Sequence, residues 1–334
     1  MWYQNNVGYI PAVMLGLAVG DSLGAPFEQP ASATEPSKLL KGWDGEYLEG
    51  HGLHTSRKKG EWTDDTGMAV ALAEALVSSK SFNTEAVSEK YHAWYCATPR
   101  TLIGGTILKA MGHYGAHGDE DLCGVEGSEG NGSAMRCAPI GLFHRVDTKL
   151  AMDVARLDAR ITHKSLEAEE GSAAVAGMVS RAFFNGYAKN SGRTHDFLPE
   201  VTSLLRPSKI RDLLGSIPKI TNSLDIDAGH LQEFLAKNGT KGHVLQTVPA
   251  AIACFVLTNS FAEAVKAAIR AGGDTDTTAA ITGAIAGAYY GLFHIPFAWR
   301  KGVDRGTYLV DLDEALMQLP PPPKMSDYLL ACGW

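Results

Sequence analysis

Two short oxygen-rich clusters, Thr63-Asp64-Asp65-Thr66 and Asp274-Thr275-Asp276-Thr277, each open an apolar run with helical spacing, and they lie in distant parts of the chain. Neighbouring carboxylates repel one another, so a fold must either leave them in solvent or supply a cation. Hard divalent ions such as Mg²⁺ take carboxylate, hydroxyl and carbonyl oxygens, and a two-metal site gathers carboxylates from separate segments. An aspartate at a helix start has an ordinary use, capping backbone N–H groups at the positive end of the helix dipole. That use explains one residue of each pair. In the second cluster Gly272 and Gly273 permit a tight turn that aims both carboxylates one way, and the threonines add neutral oxygens. The Asp-x-Asp spacing also begins an EF-hand loop, but the downstream ligands and the closing glutamate are missing.

Apolar residues at 45% and charged residues at 20% fit a globular protein with a substantial core and argue against disorder. Thirty Lys and Arg against thirty-seven Asp and Glu give a net charge of −7, and the basic cluster Arg57-Lys58-Lys59 lacks interleaved aromatics, so a nucleic-acid groove is not expected. The five cysteines are odd in number, widely spaced and free of C-x-x-C, which points to reduced thiols and a cytoplasmic protein. The N-terminal residues lack the basic region and cleavage motif of a signal peptide. The longest apolar stretch, 279–293, is short for a membrane span and is read as a buried helix.

Helical periodicity dominates and alternating strand patterns are scarce, so a mostly α chain is expected. The pattern predicts helices over 12–23, 66–79, 84–97, 105–111, 149–161, 165–185, 247–257, 260–271 and 277–292. Gly16, Gly20 and Gly24 share one helix face, as do Gly283, Gly287 and Gly291. Each interior glycine costs about 0.8–1 kcal/mol of helix propensity relative to alanine, so such ridges mark close helix packing or close approach to a ligand. The stretch 188–200 reads as a polar loop, and the chain from there to 242 is only weakly periodic. Pro320 to Pro323 form an extended surface segment ahead of a tail that docks Tyr328, Leu329 and Trp334. No internal repeat is evident.

Three further segments carry chemistry. Pro26 should end the first helix and leave Glu28 in a turn, free to reach a pocket, whereas Asp21 within the glycine ridge reads as a structural hydrogen-bonder. With Glu28, the aspartates Asp64, Asp65, Asp274 and Asp276 come near charge balance with two divalent ions. The loop 124–136 holds glycines 124, 127, 130 and 132 and ends in Arg136; it suits an anion site or a plain flexible loop, and it matches neither Walker A nor G-x-G-x-x-G. His163 precedes the capping residue Ser165 and on its own reads as surface or structural. No H-E-x-x-H, G-x-S-x-G or catalytic cysteine arrangement is present.

Together these segments resemble the ADP-ribosylglycohydrolase family, which includes the dinitrogenase-reductase-activating glycohydrolases and the ADP-ribosylarginine hydrolases. The resemblance runs nearly end to end. It rests on G-L-A-V-G-D-S-L-G-A-P-F-E (Gly16 to Glu28), W-T-D-D-T (Trp62 to Thr66), G-N-G-S-A-M-R (Gly130 to Arg136), I-T-H (Ile161 to His163) and G-G-D-T-D-T-T-A (Gly272 to Ala279), in that order. It implies an all-α, compact multi-helix bundle forming a single domain over 1–334, with two Mg²⁺ or Mn²⁺ ions at the mouth of a cleft. Carried over residue by residue, Thr63, Asp64, Asp65, Asp274, Asp276 and Thr277 would be metal ligands. Glu28, Asp64 and Asp276 would be the catalytic carboxylates. Gly130, Asn131, Gly132, Ser133, Met135 and Arg136 would contact phosphate and ribose, and His163 would touch the terminal ribose.

The implied reaction is hydrolysis of the N-glycosidic bond of a mono-ADP-ribosylated protein, first of all at arginine, releasing ADP-ribose and reversing a transferase. One departure bears on the linkage: Leu102 and Gly105 stand where nitrogenase-regulating relatives carry an acidic residue and an asparagine. An uncharged Leu102 removes one partner for a guanidinium. Alternatives are hydrolysis of serine-linked or O-acetyl ADP-ribose, and an immunity protein that counters and binds an ADP-ribosylating toxin, with loops near Ala188 and Thr240 as its surface. A non-catalytic descendant is opposed by the intact Asp64, Asp65, Asp274 and Asp276.

Overall fold

The helices Val13–Gly24 and Thr275–Tyr290 lie antiparallel with their glycines in contact. A Cβ at Gly16 would strike the Gly283 carbonyl, one at Gly20 the Ala279 carbonyl, and one at Gly24 the Thr275 carbonyl, so only hydrogen fits along this seam. The ridges therefore serve packing. Gly287 O accepts from Ala12 N at 3.2 Å, and Thr275 Oγ1 donates to Gly24 O at 2.9 Å. The seam thus sets the end of one helix beside the start of the other, which brings Glu28 to Asp276.

The computed structural model describes residues 9–28, 38–187, 197–218 and 228–319. Pro320 to Pro323, the tail residues Tyr328, Leu329 and Trp334, Cys332 and the 188–196 part of the polar loop lie outside them. Around the central pair pack the helices Asp64–Ser79, Leu166–Tyr187, Val244–Val256, Phe261–Arg270 and Gly306–Gln318. One hydrophobic core extends from Ala12 to Met317, with the 279–288 stretch buried inside it. No helix among the described residues is long and apolar enough to cross a membrane. The only sheet among them pairs Val125–Glu126 in parallel with His163–Lys164, Val125 opposite His163. Apart from that pair and one isolated bridge, Gly130 with His243, the regular structure of the described residues is all helical.

Two helices are capped by carboxylates from elsewhere. Asp313 accepts from Met14 N at 3.0 Å, serving the start of Val13–Gly24, which has no side-chain cap of its own. Asp21 accepts from Thr63 N at 2.9 Å, from Thr66 N at 3.1 Å and from Thr66 Oγ1 at 2.6 Å, closing the start of Asp64–Ser79. These bonds satisfy N–H groups that a helix leaves unpaired in its first turn.

Each periodic segment became a helix within a few residues at most ends. The largest difference is Gly105–His117, which runs past Gly112 and Gly115. Those glycines seat against Tyr95 and His92 of the preceding helix, and the helix stops at Gly118 with φ +66°. Pattern reading missed Ala138–Phe143, Leu198–Leu204, Lys209–Gly215, Ala228–Asn238, Phe297–Gly302 and Gly306–Gln318. All but two of these have seven residues or fewer, too short to display two helical turns of pattern.

Candidate active site

Both acidic clusters sit at helix starts without being consumed by capping. Thr63 is the cap of Asp64–Ser79, accepting from Asp65 N at 3.3 Å, and Asp21 supplies the remaining bonds from outside. Asp274 holds the cap position of Thr275–Tyr290 but makes no side-chain cap bond. Gly272 and Gly273, with φ of +74° and +78°, form the turn that delivers it. Asp64, Asp65, Asp274 and Asp276 are therefore free to face a cavity of about 450 Å³, into which Glu28 and Thr277 also point.

Burial and mutual repulsion strain this cluster electrostatically. Burial, followed by the charge of Asp21, pushes Asp64 up to about 7. Asp65 is held well above the carboxylate range by burial and by Asp276, and Asp276 likewise by burial and by Glu28. Burial raises Glu28 despite its hydrogen bond with His54. A dication would relieve all four.

The donor set fits one. Asp65 Oδ1 and Asp274 Oδ1 are buried and accept no hydrogen bond from any described residue. Oxygens of Asp21, Asp65 and Asp276 lie within 4.8 Å of one another, as do ligand atoms of Glu28, His54 and Asp276. Carboxylate oxygens lacking donors, with threonines alongside, suit a hard divalent ion. Thr63, too, is at hand, its hydroxyl donating to Asp65 Oδ2 at 2.9 Å.

Of the expected substrate residues, Gly130, Asn131, Gly132, Met135 and His163 line the same cavity. Gly130 and Gly132 leave room for the imidazole of His163, since Cβ atoms there would stand 3.3 Å and 2.9 Å from its ring. Asn131 is turned toward the acidic cluster, its Nδ2 donating to Asp274 Oδ2 at 2.8 Å and Thr247 Oγ1 at 3.0 Å. Two expectations are corrected. Ser133 is fully buried and accepts from Ser172 Oγ at 3.0 Å in the core. Arg136 is fully buried as well: it is ion-paired with Asp158 at 3.0 Å, stacked over Tyr91, and does not line the cavity. An unbalanced guanidinium in the interior is costly, and Asp158 satisfies it there.

Two other features carried no signal in the sequence. His54 Nε2 lies 2.5 Å from Glu28 and 3.2 Å from Asp276, inside the acidic cluster. Gly242 abuts Asp274, where a Cβ would stand 2.9 Å from Oδ2. The 101–107 segment, already marked in the sequence by Leu102 and Gly105, forms the rim together with the half-exposed Leu53. His54 falls in a stretch with neither period nor metal-binding spacing, so nothing marked it. A second cavity, about 660 Å³, opens near Arg160, Lys164 and Glu169, but Arg160 already neutralises Glu169 at 2.8 Å, and among the described residues no group of carboxylates close enough to share a metal lies there.

Residues 10–324 match the ADP-ribosylglycohydrolase family model. A protein of Archaeoglobus fulgidus without an assigned function is 33% identical over 92% of this chain and 95% of its own. The ADP-ribosylarginine hydrolase Tri1 of Serratia proteamaculans is 29% identical over 92% of this chain and 78% of its own. A solved structure titled as an ADP-ribosylglycohydrolase-related protein complex superposes with a TM-score of 0.70, at 29% identity, over 92% of this chain and 96% of that one. The chain belongs to the ADP-ribosylglycohydrolase family and is a hydrolase of ADP-ribosylated substrates.

Proposed function

We propose that this protein hydrolyses the N-glycosidic bond between ADP-ribose and an arginine side chain of a modified protein, depends on divalent metal, and reverses an ADP-ribosyltransferase. The observation that carries the reading is the pair of buried, donorless oxygens Asp65 Oδ1 and Asp274 Oδ1 beside a glycine-lined cavity. The arginine linkage is supported by similarity to a relative named for that activity. A cytoplasmic setting accords with the reduced cysteines, four of which are free among the described residues.

Thr63, Asp64, Asp65, Asp274, Asp276 and Thr277 would hold two Mg²⁺ or Mn²⁺ ions. Bound there, the metal would orient the terminal ribose diol and acidify a water. The residues do the rest. Gly130, Asn131, Gly132 and Met135 bound the ADP-ribose cleft, and His163 meets the ribose. As the C1″–N bond breaks, positive charge grows on the sugar, and the carboxylates of Asp64 and Asp276 stabilise it. Glu28, whose proton affinity is raised by burial, accepts a proton from the attacking water. The water oxygen bonds to C1″, the bonding electrons leave with the guanidino nitrogen, and the proton passes to that nitrogen.

A second reading, hydrolysis of serine-linked or O-acetyl ADP-ribose, is favoured by the rim, where Leu53 and Leu102 offer no charge to a guanidinium. A cognate transferase or toxin would be the natural partner in either case. Incubation with arginine- and serine-ADP-ribosylated proteins and with O-acetyl ADP-ribose, with Mg²⁺ or EDTA, tests both. Metal-dependent release of ADP-ribose from the arginine substrate supports the first reading, and release from none of the three refutes both.

A further inference from the structure

We propose that Arg136 and Thr162 are positioning residues that lock His163 in the tautomer carrying its proton on Nε2, so that the cavity receives a fixed hydrogen-bond donor. The inference rests on the proposed function only in naming the acceptor, an oxygen of ADP-ribose.

The argument is one of proton accounting. A guanidinium can only donate. Arg136 is fully buried and spends its N–H groups on Asp158 Oδ2 at 3.0 Å, Asp158 O at 2.8 Å and Thr162 Oγ1 at 2.8 Å. Thr162 Oγ1 therefore acts as an acceptor toward Arg136. Its own single proton remains, and among the described residues the other polar atom bonded to it is His163 Nδ1, 2.8 Å away. Were Nδ1 protonated, Thr162, itself fully buried, would be left with a hydroxyl proton and no acceptor. The chain thus runs in one direction, from guanidinium to hydroxyl to Nδ1, and the ring proton falls on Nε2.

The imidazole is neutral as well as oriented. Burial and then the charge of Arg136 hold its pKa down to about 3. Nε2 faces the glycine loop, where Cβ atoms at Gly130 and Gly132 would stand 3.3 Å and 3.2 Å from it, and no described residue accepts a hydrogen bond from it. The donor is left for a ligand. Parallel pairing of Val125 with His163 holds the backbone that carries the ring. Arg136 thereby regains a place in recognition, acting through two residues rather than by touching phosphate.

The test uses ¹⁵N-histidine-labelled protein without ligand, read by long-range ¹H–¹⁵N spectra, together with ADP-ribose titrations by calorimetry. Wild type is expected to show His163 with a proton on Nε2 and a bare Nδ1. Thr162→Val should release the ring into a tautomer mixture and weaken ADP-ribose binding about 10-fold, as loss of one oriented hydrogen bond would. Thr162→Ser, which keeps the hydroxyl, should restore both readings. A wild-type ring protonated on Nδ1, or Thr162→Val with tautomer and affinity unchanged, overturns the proposal. Because the tautomer is read without ligand, failure of wild type to bind ADP-ribose would refute the functional reading and leave the relay measurable.

Discussion

His54 Nε2 stands 2.5 Å from Glu28 Oε2, closer to that carboxylate than to Asp276, and so places a cationic ring among the acids proposed to hold metal. Although burial opposes its charge, the hydrogen bonds with Asp276 and Glu28 carry His54 up to about 10. Proton and metal compete for the same carboxylates. Mg²⁺ or Mn²⁺ binding should therefore release protons, and metal affinity should rise with pH until His54 has lost its proton, at about pH 10. Calorimetry in buffers of different ionisation enthalpy measures the release; a value of zero at pH 7 would contradict the competition.

The same groups set how the metal-free protein responds to pH. Asp64 rises from 3.8 to about 7 and His54 from 6.5 to about 10 on folding. Both folded values lie above the unfolded ones, so the folded state binds more protons in each window and stability falls as pH rises. Asp64 loses its contribution from 3.8 up to about 7, and His54 from 6.5 up to about 10. Thermal melts in EDTA should show a melting temperature declining between pH 6.5 and about 10, above the range in which the buried His144 and His163, held down to about 3, act in the opposite sense, and saturating Mg²⁺ should flatten the decline. A metal-free melting temperature that climbs with pH would refute the assignment.

Asn131 holds Asp274 by a 2.8 Å bond and is itself tied to Thr247. Groups that orient a metal-binding carboxylate govern affinity, so Asn131→Ala should weaken metal binding about 10–100-fold while leaving the helical spectrum intact. Asp274→Asn should abolish Mg²⁺-dependent turnover without unfolding. Full activity in Asp274→Asn would remove that residue from the site.

The glycine seam makes a structural prediction with a functional echo. Gly20→Ala would drive a methyl into the Ala279 carbonyl, and such overpacking costs about 1–3 kcal/mol. Separating the helices there also moves Asp21 and Glu28 relative to Asp276, so turnover should fall more than stability alone explains. Gly215→Ala, where nothing stands within 4 Å of the new Cβ, is the control and should stabilise by about 0.4–1 kcal/mol. Chemical denaturation and a turnover assay on the two variants separate the effects.

The site's acidic half was legible because two local signals coincided: carboxylates doubled beyond the needs of a cap, and glycines or Pro26 at the turns that expose them. Helix periodicity and the glycine spacing likewise gave the long helices and their seam. What resisted reading was side-chain direction in the irregular loop. Arg136 and Ser133 share a motif with Gly130 and Gly132, yet the turn at 131–136 sends the serine and the arginine into the core, and only the contacts with Ser172 and Asp158 reveal it. Capping in trans is equally invisible, because Asp21 and Thr63 meet only after the Val13–Gly24 and Asp64–Ser79 helices have packed. His54 reached the carboxylates from an aperiodic stretch for the same reason.

The proposed arginine linkage can be tested at the rim. Leu102 is half-buried at the edge of the cavity, on the 101–107 segment whose Gly104 bonds Asp64. Leu102→Glu would set a carboxylate at the place where a leaving guanidinium could meet it. A partly exposed ion pair contributes up to about 1 kcal/mol, which corresponds to a KM for ADP-ribosylarginine protein lowered by about 5-fold. With the serine-linked substrate, which carries no cation, KM should stay unchanged or rise. Steady-state kinetics of both linkages on both proteins decide the matter: a shift shared equally by the two substrates would mean that Leu102 shapes the ADP-ribose cleft, whereas one confined to the arginine substrate would place Leu102 against the leaving side chain.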